Sequence, residues 1–423
     1  MKTNKTLLSC AVAFGLASVS TFTQAAGFQL AEYSATGLGR AYAGEAAMAD
    51  NASAQWRNPA MLTYLEGTQV SAGAIYVNPN VDVEGTVNHA QLGKTHASSN
   101  DFAHDAVIPN FYLSHQLNEQ MALGFALGTN YGMETDLGTE FAASHFGNQA
   151  SVISKEANLN IAYQILPQLS IGGGVRYVMG EGHFGATAPA KNALKLPQGT
   201  TLKYMEGEDT SWGWQVGSAW QINQDHRVGF AYKSEVVMDF EGHAEGVSYG
   251  SYKSGMMSVT LPATAELASF HRLNDQWAIH ASINWTDWSS FKELTAVFPE
   301  KSDLIKSENW EDNYRFALGT TYQYDAKLAL RAGVAYDTSA VDDKNRTATI
   351  PETDRTWVSV GGSYVATPQL TLDAGFTYIF AKDATINEPR DASDQTAAAI
   401  GGAFTGNVSG NVWLIGVQAN YRF

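Results

Sequence analysis

The sequence predicts an all-β fold, a 14-stranded antiparallel transmembrane β-barrel with an N-terminal hatch, or plug, in its lumen. Three observations carry that prediction. Segments of roughly ten residues alternate apolar and polar side chains, which is how a barrel strand presents one face to lipid and the other to a polar lumen. Tight turns recur between these segments and alternate with longer polar loops. Beyond the first 25 residues no apolar run approaches the ~20 residues that a membrane-spanning helix needs.

The elements follow in chain order. Lys2 and Lys5 precede an apolar stretch from Leu7 to Val19, and the small residues Thr23 and Ala25 follow. This is the order of a secretory signal peptide, and its apolar part is too short to span a bilayer. Residues 1–25 are therefore expected to be cleaved, so that the mature chain starts at Ala26. The competing reading, lipidation at Cys10, would cut through the middle of the apolar stretch. As Cys10 is the single cysteine, the mature protein is expected to lack disulfides and a thiol nucleophile.

Residues 26–69 come next. They are rich in Ala and Gly, hold Arg40, Glu45 and Asp50, and show no sustained alternation. The stretch is long for a tail and too polar for lipid. A barrel this wide leaves a lumen that its own side chains do not fill, so this segment is expected to fold inside as the plug. A disordered periplasmic leader is the alternative.

Residues 70–423 are expected to form the barrel. In the last segment Trp413, Ile415, Val417, Ala419, Tyr421 and Phe423 share one face, and Leu414, Gly416, Gln418, Asn420 and Arg422 share the other. Successive side chains of a strand point to opposite faces, so the first set should meet lipid. The same split recurs around Leu372 and Phe376 against Asp373, around Leu330 and Val334 against Arg331, and around Ile279 and Ile283 against His280. Trp and Tyr stand at the ends of these apolar faces, where interfacial girdles belong. Turns fall at Asn118–Gln120, Pro167–Gln168, Asn223–Asp225, Asn274–Gln276, Asp325–Lys327 and Thr367–Gln369. Six turns join twelve strands; a first strand near Val70–Glu84 and a last at Asn411–Phe423 complete fourteen, an even number as bacterial barrels require.

Charge and motifs exclude several functions. Without Lys2 and Lys5 the chain carries 24 basic residues against 42 acidic ones, a formal charge of −18. So acidic a protein is a poor nucleic-acid ligand, because phosphate contacts need clustered Lys and Arg. Gly246–Gly250 spells a nucleophile-elbow pattern, but that motif needs a strand–turn–helix in an α/β sheet, whereas here it falls in an external loop. His89, His96 and His104 lie in a polar loop and read as solvated. No enzyme, cofactor or metal is expected.

An ordered set of short matches then points to a family. Ala-Gly-Phe-Gln-Leu (Ala26–Leu30), Gly-Leu-Gly-Arg-Ala-Tyr (Gly37–Tyr42), Arg-Asn-Pro-Ala (Arg57–Ala60), Asn-Tyr-Gly (Asn130–Gly132), Gln-Trp-Ala-Ile-His (Gln276–His280) and Ala-Leu-Gly-Thr-Thr-Tyr (Ala317–Tyr322) resemble FadL-type outer-membrane transporters of long-chain fatty acids and other hydrophobic compounds. The resemblance runs from Ala26 to Phe423. It implies passive, hatch-gated diffusion of an apolar ligand with lateral release through the wall at a kinked third strand. It also implies site residues: Phe28 in the apolar pocket, Lys306 on the ligand carboxylate, and Asn58, Pro59 and Ala60 against a kink formed by Asn130, Tyr131 and Gly132. A second basic residue of the family falls near Ala186, in a segment without Lys or Arg, and the external segments Gly185–Thr210 and Gly242–Gly255 are short. Arg176 and Lys233, on lumen-facing positions, are the substitute cations. The expected partners are a long-chain fatty acid or similar apolar ligand, together with outer-membrane lipid and lipopolysaccharide, and the expected state is a monomer. Uptake of aromatic hydrocarbons, a polar-solute porin and a barrel-embedded lipid hydrolase are the alternatives; the porin would lack the plug.

Overall fold

The computed structural model describes residues 27–423, with the backbone alone at 251. The expected signal peptide, residues 1–25, and the expected mature start at Ala26 lie outside the described residues. Alternation and turns organise the chain into fourteen antiparallel strands. They are β1 (Thr68–His89), β2 (Gly93–Ser99 and Ala106–Gln116), β3 (Met121–Gly128 and Gly132–Asp136), β4 (Gln149–Leu166), β5 (Leu169–Thr187), β6 (Thr201–Gln221) and β7 (His226–Lys233 and Val236–Gly246). The circuit continues with β8 (Gly250–Leu261 and Thr264–Arg272), β9 (Trp277–Thr286 and Glu293–Val297), β10 (Ser302–Ser307 and Asn313–Gln323), β11 (Leu328–Asp337), β12 (Arg355–Val365), β13 (Leu370–Ala381 and Ala384–Glu388) and β14 (Ala403–Arg422). β14 pairs with β1 from Gln69↔Arg422 to Asn88↔Ala403, which closes the barrel. Closure leaves no unpaired edge to face lipid. The six expected turns all lie at one end, between β2 and β3, β4 and β5, and so on round the circuit.

The side-chain register is the expected one. Val417 is 59% exposed on the outer face while Gln418 is 3% exposed inside. The outer face of β8 and β9 carries Leu267, Trp277 and Ile283, and the inner face carries Glu266, His280 and Ser282. A replacement Val417→Arg puts a guanidinium into lipid and should cost ~2–4 kcal/mol near the bilayer midplane. Urea titration of the protein refolded in lipid measures that loss, whereas the same change at Gln418 would instead disturb the plug.

The strands run on beyond the membrane at the other end. The segments Gly185–Thr210 and Gly242–Gly255 were expected as short loops; much of each is strand, and the latter forms a hairpin with a turn at Gly246–Gly250. The GVSYG run is that turn.

Residues 27–67 fill the lumen with short helical turns: Ala35–Leu38, Glu45–Ala47, Ala54–Arg57 and Pro59–Tyr64. Each is too short to stand alone, and each leans on the wall. Ala35 N–H donates to Gln418 Oε1 (3.1 Å), Thr36 Oγ1 to Asp373 (2.6 Å) and Ala46 N–H to Glu266 Oε1 (3.0 Å). Arg315 donates to the Ala41 carbonyl (3.0 Å). Several of the plug's charges are paired: Arg40 meets Glu45 at 2.6 Å and Asp50 at 2.8 Å, and Arg57 meets Glu266 at 3.1 Å. Its backbone approaches the wall closely where the wall has glycine. A Cβ at Gly229 would stand 1.9 Å from the Ala46 carbonyl oxygen, and one at Gly333 2.1 Å from that of Arg40. Glycine here makes room for the plug.

Candidate ligand site and wall opening

β3 is interrupted at Thr129–Tyr131. On one side of the break the ladder to β4 persists through Ser154, whose N–H donates to the Tyr131 carbonyl (2.8 Å) and whose hydroxyl accepts from the Tyr131 N–H (3.1 Å). On the other side, pairing with β2 lapses after Phe111↔Leu127 and resumes only at the Ala103↔Thr135 bridge. An unpaired backbone group at membrane depth is costly, and the N-terminus of the plug supplies the missing partner. Leu30 N–H donates to the Asn130 carbonyl (2.7 Å), and Gly132 N–H donates to the Phe28 carbonyl (2.8 Å). Phe28–Leu30 thus substitutes for the neighbouring strand along the kink.

This corrects one expectation. Asn58, Pro59 and Ala60 do not cover the kink. Asn58 Nδ2 donates to the Ser218 carbonyl of β6 (3.0 Å), and Ala60 lies against Gly172 of β5. They seat the base of the plug. Asn130 and Tyr131 are tied from below and above: Asn130 Nδ2 donates to Glu156 (2.6 Å) and Tyr131 Oη to the Pro262 carbonyl (2.6 Å).

Phe28 stands in an aromatic cage. Its ring centroid lies 4.6 Å from Trp288, 5.5 Å from Phe291, 6.1 Å from Trp310 and 6.2 Å from Tyr131. Trp288 and Phe291 come from the excursion that interrupts β9, and Trp310 from the one that interrupts β10. The same buried apolar body continues through Val236, Met238, Phe240 and Val259, with Phe184 and Leu294 packed against it. Beside it opens an apolar cavity of about 90 Å³ lined by Phe184, Met205, Phe240, Met257, Val259 and Phe298.

Lys306 lies on the first segment of β10, in register with Leu294 on the cavity wall. It is 3% exposed. Its ammonium sits 5.0 Å over the Phe184 ring and reaches the Thr349 hydroxyl at 3.4 Å. Among the described residues no carboxylate oxygen approaches its Nζ within 4.0 Å. A buried cation over Phe184, one of the side chains that line the cavity, with one weak partner, is suited to an anionic headgroup.

Arg176 is not a free cation. Its Nε and Nη2 donate to the two oxygens of Glu156 (2.9 and 2.8 Å), and its Nη1 donates to the Ser234 carbonyl (2.8 Å). Lys233 is likewise engaged, with Asn130 Oδ1 at 3.2 Å and the Trp56 ring at 4.3 Å. Both were expected as lumen-facing cations, and their parity is right, but neighbouring strands supply partners that parity does not reveal.

Sequence reasoning also missed a charged group above the cage. Glu308 accepts from Trp310 Nε1 at 3.3 Å and faces Arg390 at 3.9 Å; Arg390 in turn binds Asp394 at 3.3 Å. Glu388 is 2% exposed nearby. Burial pushes the carboxyls of Glu308 and Glu388 up, that of Glu388 to about 7 despite the opposing charges of Lys306 and Arg390. The aromatics Trp288, Phe291 and Trp310, which break the alternation after the girdle residue Trp285, were the available signal.

Residues 16–423 match the family described as outer membrane protein transport protein (OMPP1/FadL/TodX). The sequence is 33% identical over 455 residues to the long-chain fatty acid transport protein of Escherichia coli O6:H1, covering 99% of each chain. The fold resembles that of a Pseudomonas aeruginosa FadL homologue, with a TM-score of 0.84 at 21% identity, covering 94% of this chain and 100% of that one. It also resembles the toluene transporter TodX of P. putida, with a TM-score of 0.68 at 17% identity, covering 93% and 99%.

Proposed function

The chain belongs to the OMPP1/FadL/TodX family of outer-membrane transport proteins, a transporter and not an enzyme, and from that premise we propose that it takes up long-chain fatty acids by passive diffusion gated by the hatch. The observation that carries this reading is the continuity of one apolar body from the Phe28 cage to the cavity under Lys306. Each buried CH₂ contributes ~0.8 kcal/mol, so a long tail gains on the order of 10 kcal/mol there without an energy source. Lys306 orients the carboxylate by a charge-assisted hydrogen bond, and Phe28 contacts the tail. Release runs sideways through the wall at Asn130–Gly132. Withdrawal of Phe28–Leu30 would both empty the cage and strip the kink of its backbone partner, so a single movement couples release to opening. Asn58, Pro59 and Ala60 anchor the part of the plug that stays. Arg176 enters only as the partner of Glu156.

The test is Lys306→Ala. Binding of a fatty acid should weaken by ~1–3 kcal/mol, while a neutral hydrocarbon of similar length should bind as before. Equal losses for both ligands would mean that Lys306 shapes the cavity without reading the headgroup. A second reading, uptake of aromatic hydrocarbons, is favoured by the four rings around Phe28, three of them edge-to-face with it, an arrangement that an aromatic guest would extend. In that case Lys306→Ala would leave transport of toluene unchanged and Phe28→Ala would abolish it.

A further inference from the structure

The charged group above the cage is unbalanced. It holds three buried carboxylates, Glu308, Glu388 and Asp394, against two cations, Lys306 and Arg390. Arg390 and Asp394 satisfy each other: Asp394 accepts from the Arg390 backbone N–H (3.0 Å) and from its Nε (3.3 Å). Arg390 is further fixed by the carbonyls of Ser307 (2.6 Å) and Asn345 (3.0 Å). Glu308 has the Trp310 indole and the edge of Arg390. What remains is Lys306, with one weak hydroxyl contact, and Glu388, whose Oε2 is buried without any hydrogen-bond partner. Glu388 reaches this point because it ends the second segment of β13, with its side chain directed inward opposite Phe404 of β14. Buried polar atoms without partners are rare, and here they include Glu388 Oε2, Glu308 Oε1 and Arg390 Nη2.

A ligand carboxylate placed on Lys306 adds a further negative charge to a pocket that already has one too many. Like charges in a dry site do not all stay ionised. We propose that Glu388 is the specificity-determining counter-ion of the Lys306 site, so that an anionic amphiphile binds only as Glu388 takes up a proton. Ionised, Glu388 offsets the charge of Lys306 from beyond 4.0 Å and repels a second carboxylate; protonated, it leaves the field of Lys306 to the ligand. Glu388 is chosen over Glu308 because Glu308 has a donor in Trp310 Nε1 and the Arg390 guanidinium at 3.9 Å to stabilise its charge. Burial already pushes the Glu388 carboxyl to about 7, which puts the exchange in the physiological range. The groups that act on it are Lys306 and Arg390, which favour its charge, and Asp394 and Glu308, which oppose it. This inference rests on the assignment of Lys306 to the headgroup.

The sign follows. Protonated Glu388 predominates below about pH 7, so affinity for an anion is highest there and falls as pH rises, by up to about tenfold per unit above that point for one linked proton. The probe is tetradecyl sulfonate, whose headgroup stays ionised throughout, with tetradecanol as the neutral control. Between about pH 6 and about pH 8 the sulfonate should lose about tenfold in affinity for the full-length protein in detergent, and the alcohol should lose none. In Glu388→Gln the sulfonate affinity should be flat and remain at the low-pH value. A flat profile in the unaltered protein, or an undiminished slope in Glu388→Gln, overturns the proposal, as does a slope that disappears only in Glu308→Gln. Should Glu388→Gln fail to fold, the profile of the unaltered protein and that of Glu388→Asp, which keeps the titrating group, decide the matter. If Lys306→Met leaves sulfonate affinity unchanged at every pH, the headgroup assignment fails by itself, and that outcome is distinct from a lost pH slope.

Discussion

Deletion of residues 27–67 should convert a closed barrel into a conducting one. Those residues occupy the lumen and are held by side chains of the inner wall, among them Gln418, Asp373, Glu266 and Arg315. None of these contacts is part of the strand ladder, which closes through β1 and β14 independently of the plug. A barrel of fourteen strands without its filling is wide enough for water and ions. Single-channel recording in planar bilayers should show steady conductance for the deletion variant and little for the intact protein. Heat-modifiable migration on gels checks that the barrel has formed. A folded deletion variant that conducts no better than the intact protein would mean that the extracellular loops, rather than the plug, seal the pore. The deletion also removes the strand mimic Phe28–Leu30 from the kink, so the variant should admit apolar dyes from the bilayer as well as ions from water.

The second large effect is expected at Arg176. The change Arg176→Ala leaves the Glu156 carboxyl buried inside the wall with its bidentate partner gone. Breaking one side of a buried ion pair typically costs ~3–5 kcal/mol, and the Ser234 carbonyl loses its donor as well. The midpoint of urea unfolding in lipid should fall accordingly. Removing both charges with apolar residues of similar size, Arg176→Met with Glu156→Leu, should recover most of the loss, because the penalty belongs to the orphaned charge. A headgroup role would give the opposite pattern, with stability kept and affinity for a carboxylate lost. That result would show that Arg176 leaves Glu156 when ligand arrives.

The difference between Arg176 and Lys306 shows where sequence reading stops. Parity along β5 is enough to place Arg176 inside the barrel. Its partner lies 20 residues away on β4, diagonal to the registered pair Asn158↔Arg176. That diagonal depends on the stagger of two strands, which no single segment encodes. Lys306 was located through the resemblance, but its lack of a carboxylate within 4.0 Å among the described residues is a property of β9, β10 and the loop that carries Thr349 together. The cover of the kink was assigned to Asn58–Ala60 for a similar reason. Phe28–Leu30 has no alternation of its own, and its strand-like pairing exists only because β3 breaks where the plug begins.

The sequence by itself determined the barrel: period-2 alternation sets which side chains meet lipid, and turn residues set the number of strands. Both are local properties, and a one-residue slip would put Gln418 in lipid, so the pattern tolerates little ambiguity. The tertiary structure alone decided what the lumen does. The breaks in β7, β8, β9, β10 and β13, the cage around Phe28 and the charges above it are assembled from residues hundreds of positions apart. Membrane depth imposes a repeating pattern on every strand that crosses it, whereas the lumen and the extracellular extensions are free of that demand and are shaped only by which strands happen to face one another.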